Sequence, residues 1–289
     1  MGQRRPSAAV FRRLAALRRA AVLLVAALAV GTVASVAAPA SAVTVFGQAC
    51  PAGQSAVVCE NARPGTPAST WDVNGIGDAS IQGFATSMSV NLGERVDLKI
   101  DTDAAAYRVE IYRLGWYGGN GARLVGTVNP SVPLPQDQPA CLTEAATRLV
   151  DCGNWGVSAS WQVPGDALSG VYVARLVRTD TGGDSHVVFV VRDDASTSDL
   201  VFQTSDTTWQ AYNRYGGSNF YPGGEGRAQK LSYNRPFTTR ADVPDGRDWL
   251  FGNEYPMIRF LERNGYDVSY ISGIDTHRDG ALLRRHKVF

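Results

Sequence analysis

Leu200-Val201-Phe202-Gln203 runs into Thr207-Thr208-Trp209-Gln210-Ala211-Tyr212-Asn213-Arg214-Tyr215-Gly216-Gly217, which closes on Ser218-Asn219-Phe220-Tyr221. The first four residues read as a short apolar strand, and the residues after them read as a loop that sets tyrosines beside glycines. In open α/β sheets ligands bind outside the carboxyl ends of the strands, so this loop is placed where a site belongs. Downstream the period changes. Residues 253–265 carry apolar Met257, Ile258, Phe260 and Leu261, with Pro256 near the first turn and Gly265 as a stop, the punctuation of an amphipathic helix. Residues 266–271 read as a strand, a short helix ends near Arg285, and Lys287-Val288-Phe289 opens another strand. Strand, helix, strand, helix, strand is the alternation of a doubly wound α/β sheet. Three strands, the last just begun, would expose a long apolar edge. The expectation is therefore a chain that stops partway through its α/β domain.

Upstream, residues 81–192 alternate with a period of two. Ser87-Met88-Ser89-Val90, Val96-Asp97-Leu98-Lys99-Ile100, residues 107–114, residues 171–178 and residues 186–191 are separated by Gly, Pro, Asn and Asp signals. Short strands so punctuated predict an antiparallel, Ig-like β-sandwich. Residues 179–184 read as the hairpin turn joining the last two strands. The Pro-rich stretch 129–154 reads as loop, not core, and residues 193–199 as a linker. The expected organisation is a signal peptide over 1–42, an extension over 43–78, the sandwich over 79–193, and the first part of the α/β domain over 194–289.

Residues 1–42 combine a basic start (Arg4, Arg5, Arg12, Arg13, Arg18, Arg19), an apolar run from Ala20 to Val36, and the small-residue exit Ala38-Pro39-Ala40-Ser41-Ala42. That is a secretory signal cleaved after Ala42, and the small-residue exit favours it over a retained anchor. Sec and Tat export both remain open. Removing six arginines turns the whole-chain charge of +1 negative, and nothing basic remains that resembles a nucleic-acid footprint. The chain has four cysteines, Cys50, Cys59, Cys141 and Cys152. Four cysteines allow three connectivities; in an oxidising compartment the local pairs Cys50 with Cys59 and Cys141 with Cys152 are favoured. A zinc site is the rival, but no C-x2-C element or nearby histidine supports it.

Trp209, Tyr212, Tyr215 and Tyr221 could simply close a hydrophobic lid. The group stands out because Arg214, Glu225, Arg227 and Arg235 lie among the aromatics, and Gly216, Gly217, Gly223 and Gly224 permit close backbone approach. There is no Gly-x-Ser-x-Gly elbow, and none of His186, His277 and His286 has ligand-like spacing to a carboxylate or cysteine.

Residues 81–86, 111–119, 151–155, 169–172, 189–192, 208–213 and 232–236 together resemble secreted bacterial proteins carrying the domain of the N,N-dimethylformamidase large (beta) subunit. The resemblance spans most of residues 60–289. It implies an amidohydrolase domain on a scaffold like that of class I glutamine amidotransferases, with mononuclear iron held by two tyrosines and a glutamate. It points to Tyr212 as one ligand; Tyr221 and Tyr255 compete for the second place, with Tyr233 behind them. It puts the glutamate and a companion histidine after the strand beginning at Lys287, so the 289 residues are expected to lack a finished iron site and to be inactive as they stand. The implied substrate is a small amide or a related C–N bond. The rival is a secreted glycan-binding module with Trp116, Tyr117, Trp155 and Trp161 as an exposed aromatic platform.

Overall fold

The computed structural model describes residues 43–75, 77–222, 226–238 and 249–289; the expected signal peptide and Gly223, Gly224 and Glu225 lie outside the described residues. Among the described residues the fold is β-rich with few and short helices. After a short N-terminal pair, β1 (Thr44–Val45) and β2 (Gln48–Ala49), three strands, β3 (Ile81–Ala85), β5 (Arg95–Thr102) and β10 (Ala159–Gln162), form one antiparallel sheet in the order β10-β5-β3. Five more, β4 (Ser89–Asn91), β6 (Tyr107–Leu114), β7 (Ala122–Val128), β11 (Gly170–Arg178) and β12 (Asp184–Arg192), form a second in the order β4-β12-β11-β6-β7. Alternation explains how they meet. Val96, Leu98 and Ile100 project from one face of β5 and share a buried cluster with Val109, Ile111, Tyr172, Ala174, Phe189 and Val191 of the other sheet.

The opposite face of the five-stranded sheet is covered as well. Tyr112, Leu114, Val171, Val173, Val188 and Val190 form a second cluster with Trp209, Trp249, Ile258, Val268 and Tyr270. Strand β11 is therefore buried on both faces, which is why it reads Val-Tyr-Val-Ala with no polar alternate. The alternation of the sequence predicts half-buried strands; the segment after residue 199 supplies the missing cover.

That segment contains a parallel pair, β13 (Leu200–Gln203) and β14 (Val268–Ile271). Successive amides of β13 point to opposite edges: Leu200 N–H donates to Asp267 O and Val201 N–H to Val288 O, both at 3.0 Å. Val288 thus pairs, in parallel, on the edge away from β14, and the chain order across the sheet is second, first, third. Three helices accompany it: α3 (Asp206–Tyr212), α4 (Glu254–Arg263) and α5 (Gly273–Arg278), numbered after two short N-terminal helices, α1 (Ala56–Asn61) and α2 (Ala68–Trp71). Helix α4 does not bury the four apolar residues its pattern names. Ile258 and Leu261 face inward, whereas Met257 and Phe260 are exposed and Glu254 and Glu262 are buried in their place.

Disulfides Cys50–Cys59 and Cys141–Cys152 close as the sequence predicts, and no free cysteine remains. The stretch read as loop is partly ordered: β8 (Leu142–Glu144) pairs with β9 (Leu149–Asp151), and Val150, Cys152 and Trp155 form a small core with Phe84. Among the described residues, no helix is long and apolar enough to cross a membrane.

Burial leaves a mark on the phenols. It pushes the hydroxyls of Tyr107, Tyr112 and Tyr255 up to about 12, with the Glu110 carboxylate adding to the effect at Tyr112. These groups lie near 10 when exposed, so the stability they contribute is fully present below pH 10 and is lost as pH rises toward 12. Alkaline titration should show tyrosinate absorbance rising together with loss of near-UV dichroism; tyrosines titrating smoothly near pH 10 in an intact fold would contradict this.

Candidate functional site

Strand β13 ends at Gln203, and the residues after it build two buried carboxylate centres around the start of α3. Asp206 accepts from Thr204 Oγ1 at 2.9 Å, from Tyr233 Oη at 2.8 Å and from the Gly273 amide. Glu254 Oε1 accepts from the Ser205 amide at 2.9 Å and Trp209 Nε1 at 3.1 Å. The free N–H groups of a helix start need such acceptors, and here one comes from a residue some fifty positions downstream. The first turns of the tyrosine run are thereby helical rather than looped. Trp209 itself is core, packed edge-on against Trp249 at 5.2 Å.

Tyr212 ends α3, and the chain returns so that Tyr221 stacks on it, with ring centroids 4.2 Å apart and planes 19° from parallel. Asn219 fixes this pair. Its Nδ2 donates to Tyr212 O and its Oδ1 accepts from the Tyr221 amide, each at 2.9 Å. Asn213, fully buried, bonds Pro236 O and the Thr238 amide and so ties the loop to the segment beyond it. Gly216 sits at φ +82°, and a Cβ there would come within 2.6 Å of Val150 Cγ1, so the glycine is required by both conformation and space.

Arg235 lies at the centre of the loop, fully buried. Its guanidinium donates to Ser232 O at 3.1 Å, Tyr215 O at 3.1 Å, Ser218 O at 3.4 Å and Gln210 O at 3.2 Å. No carboxylate among the described residues faces it, and burial pulls its pKa down to about 10. It stays charged at neutral pH and acts as a four-way clamp on carbonyl oxygens.

Of the four candidate tyrosine ligands, then, Tyr212 and Tyr221 are brought together. Tyr255 lies elsewhere, edge-on to Trp71 and Phe251 and beneath Arg259. Tyr233 has its hydroxyl committed to Asp206, and burial followed by that carboxylate holds it well above the ordinary phenol range. Among the described residues no group of three or more His, Cys, Asp or Glu side chains is placed to hold a metal ion by itself. The aromatic platform of the rival reading does not form: Tyr117, Trp155 and Trp161 are buried, and Trp116 is half-buried under Arg259 and Arg263, whose guanidinium carbons lie 5.2 and 4.7 Å from its ring centroid. Sequence reasoning missed Asp206, Asn219 and Glu254. Beyond the Thr204–Asp206 and Asn219–Tyr221 bonds, which are local, their partners are brought close only by folding.

No protein of curated function matches the chain. Among solved structures, the cellulose-active LPMO CelS2 in complex with copper is similar over 36% of this chain at 16% identity and a TM-score of 0.21. The chain spans 50% of the length of that protein, and a likeness so slight carries no argument. Residues 108–289 match the family described as N,N-dimethylformamidase beta subunit-like, C-terminal. This match runs from within β6 to the last residue and takes in the tyrosine pair, its Asn219 tie and the Arg235 clamp, so the chain belongs to the N,N-dimethylformamidase beta subunit-like family.

Proposed function

We propose that this chain carries part of a secreted, metal-dependent hydrolase of small amides or related C–N bonds, with Tyr212 and Tyr221 as the phenol ligands of a mononuclear iron. The observation that carries the reading is the Tyr212–Tyr221 stack beyond the carboxyl end of β13, in a chain of this family. The second-first-third strand order supports the finer fold reading, an Ig-like sandwich joined to the opening of a class I glutamine amidotransferase-like domain. That order sets a topological switch point beside β13, where α/β sheets bind ligands. Two disulfides are compatible with export.

Bound iron would supply Lewis acidity toward an amide carbonyl. The chain's own part is positional. Asn219 holds both tyrosine backbones, Arg235 fixes the loop between them, and Asp206 keeps the Tyr233 hydroxyl protonated and held in place.

Ferric titration of the purified chain should raise a phenolate-to-iron charge-transfer absorbance. Tyr212→Phe and Tyr221→Phe should each abolish it, and Tyr255→Phe should leave it in place. A band that survives Tyr212→Phe, or one that only Tyr255→Phe removes, would overturn the ligand assignment. A small-amide panel followed by amine release tests the reaction class; iron-loaded protein that cleaves none of the panel would overturn it.

A further inference from the structure

The β8–β9 hairpin lies against the tyrosine segment along its whole length. At its base Cys152 N–H donates to Asn234 O at 2.7 Å, and at its tip Thr147 O accepts from the Gln229 amide at 2.8 Å. Between them Asp151 Oδ2 accepts from Ser232 Oγ at 2.9 Å while its Oδ1 accepts from the Gly153 amide at 2.6 Å. Val150 fills the space beneath Gly216, and Trp155 meets Tyr215 edge-on with centroids 6.5 Å apart. Residues 215–216 and 229–234 thus rest on a two-stranded element of only three residues per strand. Such a hairpin is marginal without a further constraint, and Cys141–Cys152 supplies it by joining the two ends.

The two disulfides differ in access. Cys50 and Cys59 are both buried at 6% and 7% exposure, whereas Cys141 is only partly buried and its partner Cys152 is fully buried. We propose that the Cys141–Cys152 hairpin is a thiol-releasable strap that holds the tyrosine segment in its site-forming arrangement, with Asp151 and Val150 as its positioning residues. An external thiolate attacks Cys141 Sγ, the Sγ–Sγ bond breaks, and Cys152 leaves as a thiolate that takes up a proton. A second external thiol then releases Cys141. Two external thiols are oxidised to one disulfide and the protein gains two thiols, so atoms and electrons balance. The released hairpin loses its closure, and with it the surface on which the tyrosine segment is ordered. The functional weight of this strap rests on the reading of that segment as the site. Its test reads order in the chain without iron or turnover, so either idea can fail alone.

The oxidised full chain is treated with graded dithiothreitol. Thiol labelling identifies which disulfide has opened, and hydrogen exchange is followed at residues 212–222 and 229–235, with residues 107–114 as internal reference. The expected result is opening of Cys141–Cys152 at a dithiothreitol level that leaves Cys50–Cys59 closed, and a rise of about tenfold in exchange rate confined to the two loop segments. Near-UV dichroism from the Tyr212, Tyr221 and Trp155 environment should fall, and both signals should return on reoxidation with oxidised glutathione. Asp151→Asn keeps the disulfide and should reproduce part of the loop exchange. Cys50→Ser/Cys59→Ser should leave the loop protected. Unchanged loop protection after Cys141–Cys152 opens, exchange rising equally in residues 107–114, or prior opening of Cys50–Cys59 would each overturn the proposal.

Discussion

Replacing Arg235 with methionine is expected to destabilise the protein by about 3 kcal/mol and to loosen the loop that carries Tyr212 and Tyr221. The size reflects what the side chain does. Four carbonyls, those of Gln210, Tyr215, Ser218 and Ser232, converge on one guanidinium; a thioether leaves Tyr215 O, Ser218 O and Ser232 O without that donor, and Gln210 O with the Asn213 amide alone. Each unsatisfied group costs about 1–3 kcal/mol, partly offset because the buried charge is removed as well. Arg235→Lys should fall between the two, since an ammonium has three donors but not the planar fork that reaches four oxygens. Urea unfolding measures the loss, and hydrogen exchange at residues 210–220 locates it. A midpoint for Arg235→Met equal to wild type would show that the loop is held without the clamp.

Arg113→Met is expected to be more damaging, by about 3–5 kcal/mol, because it strands a buried carboxylate. Arg113 on β6 and Glu262 on α4 are both inaccessible and meet in two parallel bonds, Nη2 to Oε1 at 2.7 Å and Nη1 to Oε2 at 2.9 Å. Tyr270 Oη and Asn61 Nδ2 add donors to the same carboxylate at 2.9 and 2.8 Å. Burial alone would pull the guanidinium down, yet the Glu262 charge and the neighbouring Tyr117 hold it well above its usual value. The guanidinium therefore stays charged throughout the accessible pH range. Removing both partners, Arg113→Met with Glu262→Leu, should recover a large part of the loss, since the cost lies in the unpaired charge more than in the lost bond. A double variant no more stable than Arg113→Met would show that shape, not charge, governs the contact.

How much of this is legible in the sequence depends on whether the cause is local. Strand β6 can be read over its full length and β13 to the residue, because alternation or an apolar run bounded by turn signals is written in consecutive residues. Both disulfides are favoured on local spacing. Strand β10 escapes because four residues with two serines around them carry little pattern, and β7 because its pairing with β6 shifts register between Ile111 and Tyr112. The start of α3 looks like a loop since Thr207, Thr208 and Trp209 are poor helix formers. Its start is secured by Glu254, which lies far along the chain and accepts from the Ser205 amide and Trp209 Nε1. The same holds for α4: Glu262 on an inward face contradicts any amphipathic reading until Arg113 is known to stand opposite. Tyr212 and Tyr221 are legible as candidates, but their union through Asn219 is not.

The Arg113–Glu262 bond also bears on how such a protein is inherited. A polar stretch at residues 193–199 invites a cut between two modules, each free to be recombined with others. A cut there would leave a bare guanidinium in the wall of the first piece and a bare carboxylate in the second. The family match begins at residue 108, five positions before Arg113, and passes straight through that polar stretch. The pair thus ties residues 149 positions apart into one unit across the polar stretch, and a gene fusion that respected the linker but split the pair is expected to encode two halves that each carry an unpaired buried charge.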